Sequence, residues 1–145
     1  MSSKAKISSK AGWLVVRQNF SARKKPRVGW KATVTVEFSW RDSHYRNNLV
    51  AGAKILELFG DAATKLCLRE TGGKDEGLFR AYQEVEFLKP VYAGDTVEAI
   101  ATVTRVGNTS RTMKFVAYKN GPKRSLVTKA VGTVVVNPVQ TRHSS

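Results

Sequence analysis

Cysteine is almost absent from this sequence: Cys67 is the only one, so no disulfide can form within the chain. It lies among apolar residues with helical spacing, and we predict a small core residue there rather than a metal ligand or thiol nucleophile. No apolar run approaches the roughly 20 residues that cross a bilayer, and no apolar block has the flanks of a secretory signal. These absences predict a soluble, intracellular protein, and we expect a cytoplasmic location.

Acidic residues are missing before Glu37, whereas nine of the 25 basic residues lie between Met1 and Lys31. The net charge is +14, and beyond Lys31 the 16 basic residues outnumber the 11 acidic ones by five. An excess of cations suits a polyanionic ligand, because phosphates need cationic or N–H partners. Coenzyme A (CoA) and nucleic acid fit this composition equally well.

The chain of 145 residues is long enough for one hydrophobic core. Residues 1–29 are rich in Ser, Lys and Arg and are predicted to form a basic, poorly ordered arm. An organellar transit peptide and an arm that binds nucleic acid have the same composition, and both interpretations stay open. Residues 30–138 are predicted to form the folded domain, and residues 139–145 a short tail.

The first elements are predicted from two different periodicities. Apolar residues alternate with polar ones over 32–40, which predicts a half-buried strand. A polar loop follows, in which Asn47 and Asn48 are suited to cap a helix of about 18 residues that ends at Gly72-Gly73. Spacing of three and four predicts its apolar face. That face comprises Leu49, Ala53, Leu56, Phe59, Ala63 and Leu66.

Four more strands are predicted over roughly 79–87, 97–103, 113–117 and 126–136, separated by turn signals. The β-branched last strand is expected to be buried on both faces. One strand, one long helix and four strands is the element order of an α+β hotdog fold, in which an antiparallel sheet wraps a central helix. Gly52 and Gly60 would let the sheet approach that helix, and free strand edges predict at least a homodimer.

Three blocks of sequence follow one another in a distinctive order. The first, Asp42–Asp61, contains a His-Tyr pair followed by Asn-Leu-Val. The second joins Asp75–Tyr82 to Val85–Asp95, and the third is Val106–Phe115. Over roughly residues 32–120, these blocks resemble the family of 3-aminobutyryl-CoA and β-alanyl-CoA ammonia lyases, which are hotdog-fold proteins.

The resemblance implies reversible elimination of ammonia from a 3-aminoacyl-CoA such as 3-aminobutyryl-CoA, giving an enoyl-CoA such as crotonyl-CoA. It implies no metal and no cofactor apart from the CoA of the substrate. The chemistry requires a base for the α-proton, donors for the enolate oxygen and an acid for the amine. Because the first N–H groups of a helix lack partners, we expect the thioester there. The residues assigned to that site are Asn48, Val50, Ala51 and Gly52.

Three side chains are candidates for the catalytic groups. His44 is the first candidate for the base, because an imidazole can accept a proton near neutral pH, or it only fixes its loop by hydrogen bonding. Asp61 is the second candidate for the base and becomes a stronger base if the helix desolvates it. Alternatively, it is a solvated carboxylate on the helix surface or forms a salt bridge with Lys65. Glu86 either points into a cleft between subunits or lies on a solvated strand face.

Four further residues are candidates for substrate binding. Tyr45 and Arg80 are expected to position the substrate, and Arg111 or Lys114 to bind the CoA phosphates, with plain surface charge as the alternative. The family pattern has an acid or amide where this chain has Ala51. If that side chain takes part in catalysis, this protein has lost it.

Two other functions remain open from the sequence. A hotdog acyl-CoA thioesterase would use Asp61 or Glu86 to activate water, because one fold can serve both reactions. A non-catalytic module would bind acyl-CoA, or would use the basic arm on nucleic acid. Ala51 and the charge of the arm motivate the second alternative.

Overall fold

The computed structural model describes residues 28–43 and 46–136 of the chain. Its strands are β1 (Lys31–Glu37), β2 (Leu78–Phe87), β3 (Thr96–Val106), β4 (Ser110–Lys119) and β5 (Ser125–Val135), and its helix is α1 (Gly52–Glu70). All five strands form one antiparallel sheet in the order β1-β3-β4-β5-β2. The helix lies over β1, β3 and β4. This architecture confirms the predicted order of elements.

The core lies between α1 and the sheet, where alternate residues of β3 and β4 meet the apolar face of the helix. Phe59 of α1 stacks on Phe115 of β4 with ring centroids 5.1 Å apart, and both rings are fully buried. Cys67 is also fully buried, which confirms its predicted place in the core. The helix therefore owes its position to burial of one apolar face against a sheet with alternating side chains.

Two strand predictions needed correction. The first strand ends at Glu37, because the N–H of Phe38 donates to the carbonyl of Asp95 and the chain then enters a short 3₁₀ turn, Trp40–Asp42. The last strand, β5, is buried chiefly at the positions that face α1, and Lys129 is exposed. Its β-branched sequence reflects strand preference rather than burial on both faces.

The predicted limits of the domain cannot be compared with the structure. The C-terminal tail, residues 139–145, and all but the last two residues of the arm, residues 1–29, lie outside the described residues. The 30–138 boundaries therefore stay a prediction. Within the described ranges, no helix is both long enough and apolar enough to span a membrane.

Candidate active site

Backbone contacts from a neighbouring loop fix the chain just before α1. The N–H of Val50 donates to the carbonyl of Val91 at 2.8 Å, and the N–H of Ala93 donates to the carbonyl of Asn48 at 2.9 Å. Leu49 thereby forms an isolated bridge with Tyr92. The entry to the helix is consequently held by main-chain bonds, which do not depend on which side chains stand at 48–50.

The helix begins with free donors. Ala51 is the N-cap residue, with extended backbone and no side-chain cap, and the N–H of Lys54 donates to its carbonyl at 3.0 Å. The N–H groups of Gly52 and Ala53 precede any acceptor within the helix, and the helix dipole adds partial positive charge there. An oxygen that gains negative charge would be stabilised at this position.

The expected cap by Asn47 or Asn48 was wrong. Both residues have φ near 61°, a left-handed conformation that Asn tolerates better than most residues. They turn the chain ahead of the bridge instead of accepting helix N–H groups.

The two helix glycines have different surroundings. The ring of Phe87, on β2, would come within 2.6 Å of a Cβ atom on residue 52, so Gly52 does allow close approach of the sheet. Gly60 has no heavy atom within 4 Å of such a Cβ, and the expectation of close packing there was wrong. It opens instead onto a groove of about 160 Å³. The groove is lined by Gly60, Ala63, Thr64, Glu76, Gly77, Phe79 and Val134.

A charged contact braces the loop that supports the helix entry. The carboxylate of Asp95 accepts a hydrogen bond from the N–H of Tyr92 at 2.8 Å and lies 3.6 Å from Nζ of Lys119. That ammonium also donates to the carbonyl of Pro90 at 3.0 Å. The sequence analysis did not single out this pair, because Lys119 and Asp95 are 24 positions apart and meet only through the β3–β4 pairing.

Asp61 projects from the exposed side of α1, about two and a half turns beyond Gly52. Partial burial, assisted by the nearby Glu57 carboxylate, raises the pKa of Asp61, and Lys65 opposes this shift. The predicted salt bridge with Lys65 was wrong, because Nζ of Lys65 donates to the carbonyl of Thr33 at 2.8 Å. No basic side chain of the described residues lies within 4.0 Å of the Asp61 carboxylate. The desolvated-base interpretation therefore keeps physical support.

The two candidates on β2 lie at the sheet edge. Glu86 is about half exposed and lies 3.3 Å from Nζ of Lys129 on the neighbouring strand. Arg80 is exposed at a shift in the β2–β5 register. A surface ion pair of this kind contributes little to stability and leaves the Glu86 carboxylate exposed to solvent.

Arg111 does not fit a role in phosphate binding. Its guanidinium donates twice to the buried carboxylate of Glu70, at 2.9 and 2.6 Å, and also to the carbonyls of Gly107 and Ser110. Only 7% of Arg111 is exposed. Lys114, by contrast, is exposed between two buried neighbours of β4, and so lies on the sheet face away from α1.

Burial removes two other side chains from acid–base chemistry near neutral pH. It raises the pKa of the Cys67 thiol to about 12, and it raises the pKa of Tyr82 to about 12. The Tyr82 hydroxyl donates to the carbonyl of Leu56 at 3.2 Å. Within 28–43 and 46–136, no group of three or more His, Cys, Asp or Glu side chains could hold a metal ion. His44 and Tyr45 lie outside the described residues.

The comparisons with known proteins agree with one another. A family model for the thioesterase superfamily matches residues 47–125. The 3-aminobutyryl-CoA ammonia lyase of Acetoanaerobium sticklandii is 43% identical over 109 residues, which are 75% of this chain and 85% of that protein. The chain belongs to the CoA-thioester ammonia-lyase family within this superfamily.

Solved structures support the family and its fold. The β-alanyl-CoA:ammonia lyase from Clostridium propionicum has a TM-score of 0.65 and 31% identity, covering 75% of this chain and 86% of that one. The acyl-CoA hydrolase from Staphylococcus aureus, in complex with butyryl-CoA, CoA and CoA disulfide, has a TM-score of 0.67 and 18% identity. The match covers 76% of this chain and 67% of that one. The second match shows the shared hotdog fold.

The superfamily match covers the parts of the candidate site described above. The helix entry, Asp61 and the contact between Asp95 and Lys119 lie within residues 47–125. Trp40 and the turn that carries it lie outside this range, and the sequence analysis treated Trp40 only as the end of a strand. Its 71% exposure, visible only in the structure, makes it a residue that the sequence reasoning missed.

Proposed function

We propose that this protein catalyses the reversible elimination of ammonia from a 3-aminoacyl-CoA, converting 3-aminobutyryl-CoA to crotonyl-CoA. The observation that carries this proposal is the 43% identity with a 3-aminobutyryl-CoA ammonia lyase over 75% of the chain. The free N–H groups at the start of α1 supply the chemistry that a CoA thioester requires.

The thioester oxygen binds at the N–H groups of Gly52 and Ala53. When a base removes the proton from the α-carbon, negative charge develops on this oxygen, and fixed donors stabilise it without reorganising. The electron pair then forms the double bond between the α- and β-carbons. The C–N bond breaks at the same time, and the β-ammonium group leaves as neutral ammonia with the C–N electron pair. Enoyl-CoA, ammonia and the protonated base balance the reaction.

Asp61 is our candidate for the base. Its raised pKa makes the carboxylate a better proton acceptor than an ordinary aspartate. At 1.5 Å per residue, Asp61 lies about 14 Å along the helix from Gly52, which is too far to reach the α-carbon of a thioester bound there. Asp61 therefore serves a thioester bound at the start of α1 in a second subunit. His44 and Glu86 stay alternative candidates for the base, and Tyr45 and Arg80 stay candidates for positioning the substrate.

A homodimer accordingly belongs to the proposal. Strand β2 is an edge strand, and three large apolar side chains at its ends are exposed: Leu78 by 73%, Phe87 by 54% and Leu88 by 45%. Covering such an edge with a second copy buries these side chains and pairs the free backbone groups. The CoA of the substrate is the only cofactor moiety in this mechanism, and we place the reaction in the cytoplasm.

The test mixes purified full-length protein with crotonyl-CoA and ammonium and follows loss of the enoyl absorbance. We expect loss that depends on ammonium and yields 3-aminobutyryl-CoA, identified by mass spectrometry. Absence of this adduct at high enzyme concentration would contradict the proposal.

A thioesterase is the second candidate, because the superfamily match and the Asp61 carboxylate suit it equally well. In that reaction Asp61 activates a water molecule, which attacks the thioester carbon and releases the thiol of CoA. Free thiol appearing from 3-aminobutyryl-CoA or crotonyl-CoA without ammonium identifies this activity. Intact thioester after long incubation excludes it.

A further inference from the structure

Trp40 is a large aromatic residue with 71% of its surface exposed. It begins the 3₁₀ turn Trp40–Asp42, where the N–H of Ser39 donates to the Asp42 carboxylate at 2.8 Å and the N–H of Arg41 donates to the Ser39 hydroxyl at 3.2 Å. The Ser43 hydroxyl donates to the Trp40 carbonyl at 2.7 Å. These bonds give the turn a defined backbone that presents the indole outward.

The turn is connected to the helix entry. Ser43 forms an isolated bridge with Val50, two residues before Gly52. Trp40 stands three positions before Ser43, at the start of the compact 3₁₀ turn, so it lies within about 20 Å of the first turn of α1. The pantetheine arm of CoA, with its two amide units, is comparable to four or five extended residues, about 15 Å. A thioester at Gly52 therefore has its nucleotide end within reach of Trp40.

Two exposed arginines follow Trp40 in the chain, one directly and one six residues on. Arg41 and Arg46 are exposed, and neither has a carboxylate within 4.0 Å among the described residues. The Asp42 carboxylate accepts hydrogen bonds from the N–H and the hydroxyl of Ser39, so it is engaged within the same turn. An exposed aromatic face with two unpaired guanidinium groups complements a purine that carries phosphates.

We propose that Trp40 stacks on the adenine of the CoA substrate, with Arg41 and Arg46 binding its phosphates. This inference rests on the proposed function only in that the substrate is a CoA thioester. Trp and Arg are also enriched in protein interfaces, so a protein partner is the competing outcome that the experiment below separates from nucleotide binding. The assignment replaces Arg111, whose guanidinium is buried.

Direct binding of adenosine 3′,5′-bisphosphate, the nucleotide end of CoA, tests the inference by titration calorimetry on the full-length protein. We expect Trp40→Ala to weaken this binding about ten- to hundredfold, and Trp40→Phe to retain most of it. Arg41→Gln should weaken it as well. Val28→Ala, at a residue that is 66% exposed before β1, should leave it unchanged. The KM of a pantetheine thioester, which lacks the nucleotide, should not change with Trp40→Ala.

Equal binding of the bisphosphate by the wild type and Trp40→Ala overturns the inference, even when lyase turnover is normal. Dissociation of the oligomer by Trp40→Ala, seen by sedimentation together with a raised KM for the pantetheine thioester, also overturns it, in favour of a protein interface. Trp40-dependent binding without lyase turnover supports the inference and contradicts only the proposed reaction.

Discussion

The ring of Phe87 lies so close to Gly52 that a Cβ atom on residue 52 would be 2.6 Å from it. Replacing Gly52 by Ala therefore forces either the Phe87 ring or the first turn of α1 to move, and a shift of the turn displaces the N–H donors. We expect Gly52→Ala to lower kcat/KM about a hundredfold in the crotonyl-CoA and ammonium assay, because small displacements of a binding group have large kinetic effects.

The matched control is Gly60→Ala on the same helix. No heavy atom lies within 4 Å of that Cβ, so the change should stabilise the protein against urea by about 0.4–1 kcal/mol. Similar losses of kcat/KM in both variants would show that the contact between residue 52 and Phe87 does not determine activity.

With 3-aminobutyryl-CoA as substrate, in the elimination direction, Asp61 should set the acidic limb of the pH–rate profile. Because its pKa is raised by burial and by Glu57, activity should increase as pH rises through this shifted value. Glu57→Gln should move the limb to lower pH, and Lys65→Met should move it to higher pH. Asp61→Asn should lower kcat by about 10²–10⁴. A profile that none of these changes moves would exclude Asp61 as the base.

The raised pKa of Asp61 also makes the stability of the fold depend on pH. A carboxyl whose folded pKa exceeds its unfolded pKa contributes stability that is fully present below the unfolded pKa and is lost as pH rises through the folded pKa. Asp61→Asn should therefore gain stability relative to the wild type between acidic and neutral pH. Urea midpoints over that range check the direction, and a constant difference between the two proteins would contradict it.

Lys119 acts as a positioning residue through Asp95 and the Pro90 carbonyl. Lys119→Met should release the loop that holds the helix entry and lower kcat about 10–100-fold, with a smaller change in KM. Lys123→Met removes an exposed lysine a few residues away and should have no such effect. A purely structural role would instead appear as a lower urea midpoint with normal kcat in the folded fraction.

The Glu70–Arg111 pair should be important for stability and not for substrate binding. Arg111→Met leaves a buried carboxylate without its partner and should cost about 3–5 kcal/mol in urea unfolding. The double variant Glu70→Leu/Arg111→Met should recover much of this loss. Lys114→Met, at an exposed site, should stay within about 0.5 kcal/mol of the wild type.

The β2 edge should carry the homodimer. Leu78→Glu places a charge on a residue that is 73% exposed at this edge, and we expect a shift toward monomer in sedimentation equilibrium. Val28→Glu makes the same chemical change at the β1 side of the sheet and should leave the dimer intact. An unchanged assembly in the Leu78 variant would place the interface elsewhere.

The correct predictions came from local periodicity. Alternation over 32–37 and the three-and-four spacing of α1 each follow from which face of an element is buried, so they are visible in any window of about ten residues. The errors arose at contacts between distant segments. Arg111 looked like a surface cation, because nothing near it in the sequence indicates that Glu70 lies beside it. Asn47 and Asn48 looked like caps, because the bridge to residues 91–93 cannot be read from the loop itself.

The sequence by itself determined the order of elements, the buried position of Cys67 and the family resemblance. It predicted the apolar face of α1 only in part: Phe59, Ala63 and Leu66 are buried, whereas Ala53 is exposed and Leu49 precedes the helix. Each of these depends on side-chain types at short, regular spacing. Only the tertiary structure decided that Gly52 is covered by Phe87, that Lys119 contacts Asp95 and the Pro90 carbonyl in the loop that holds the helix entry, and that Trp40 is exposed. Those relationships depend on strand register and loop conformation, which place residues far apart in the chain within a few ångströms of each other.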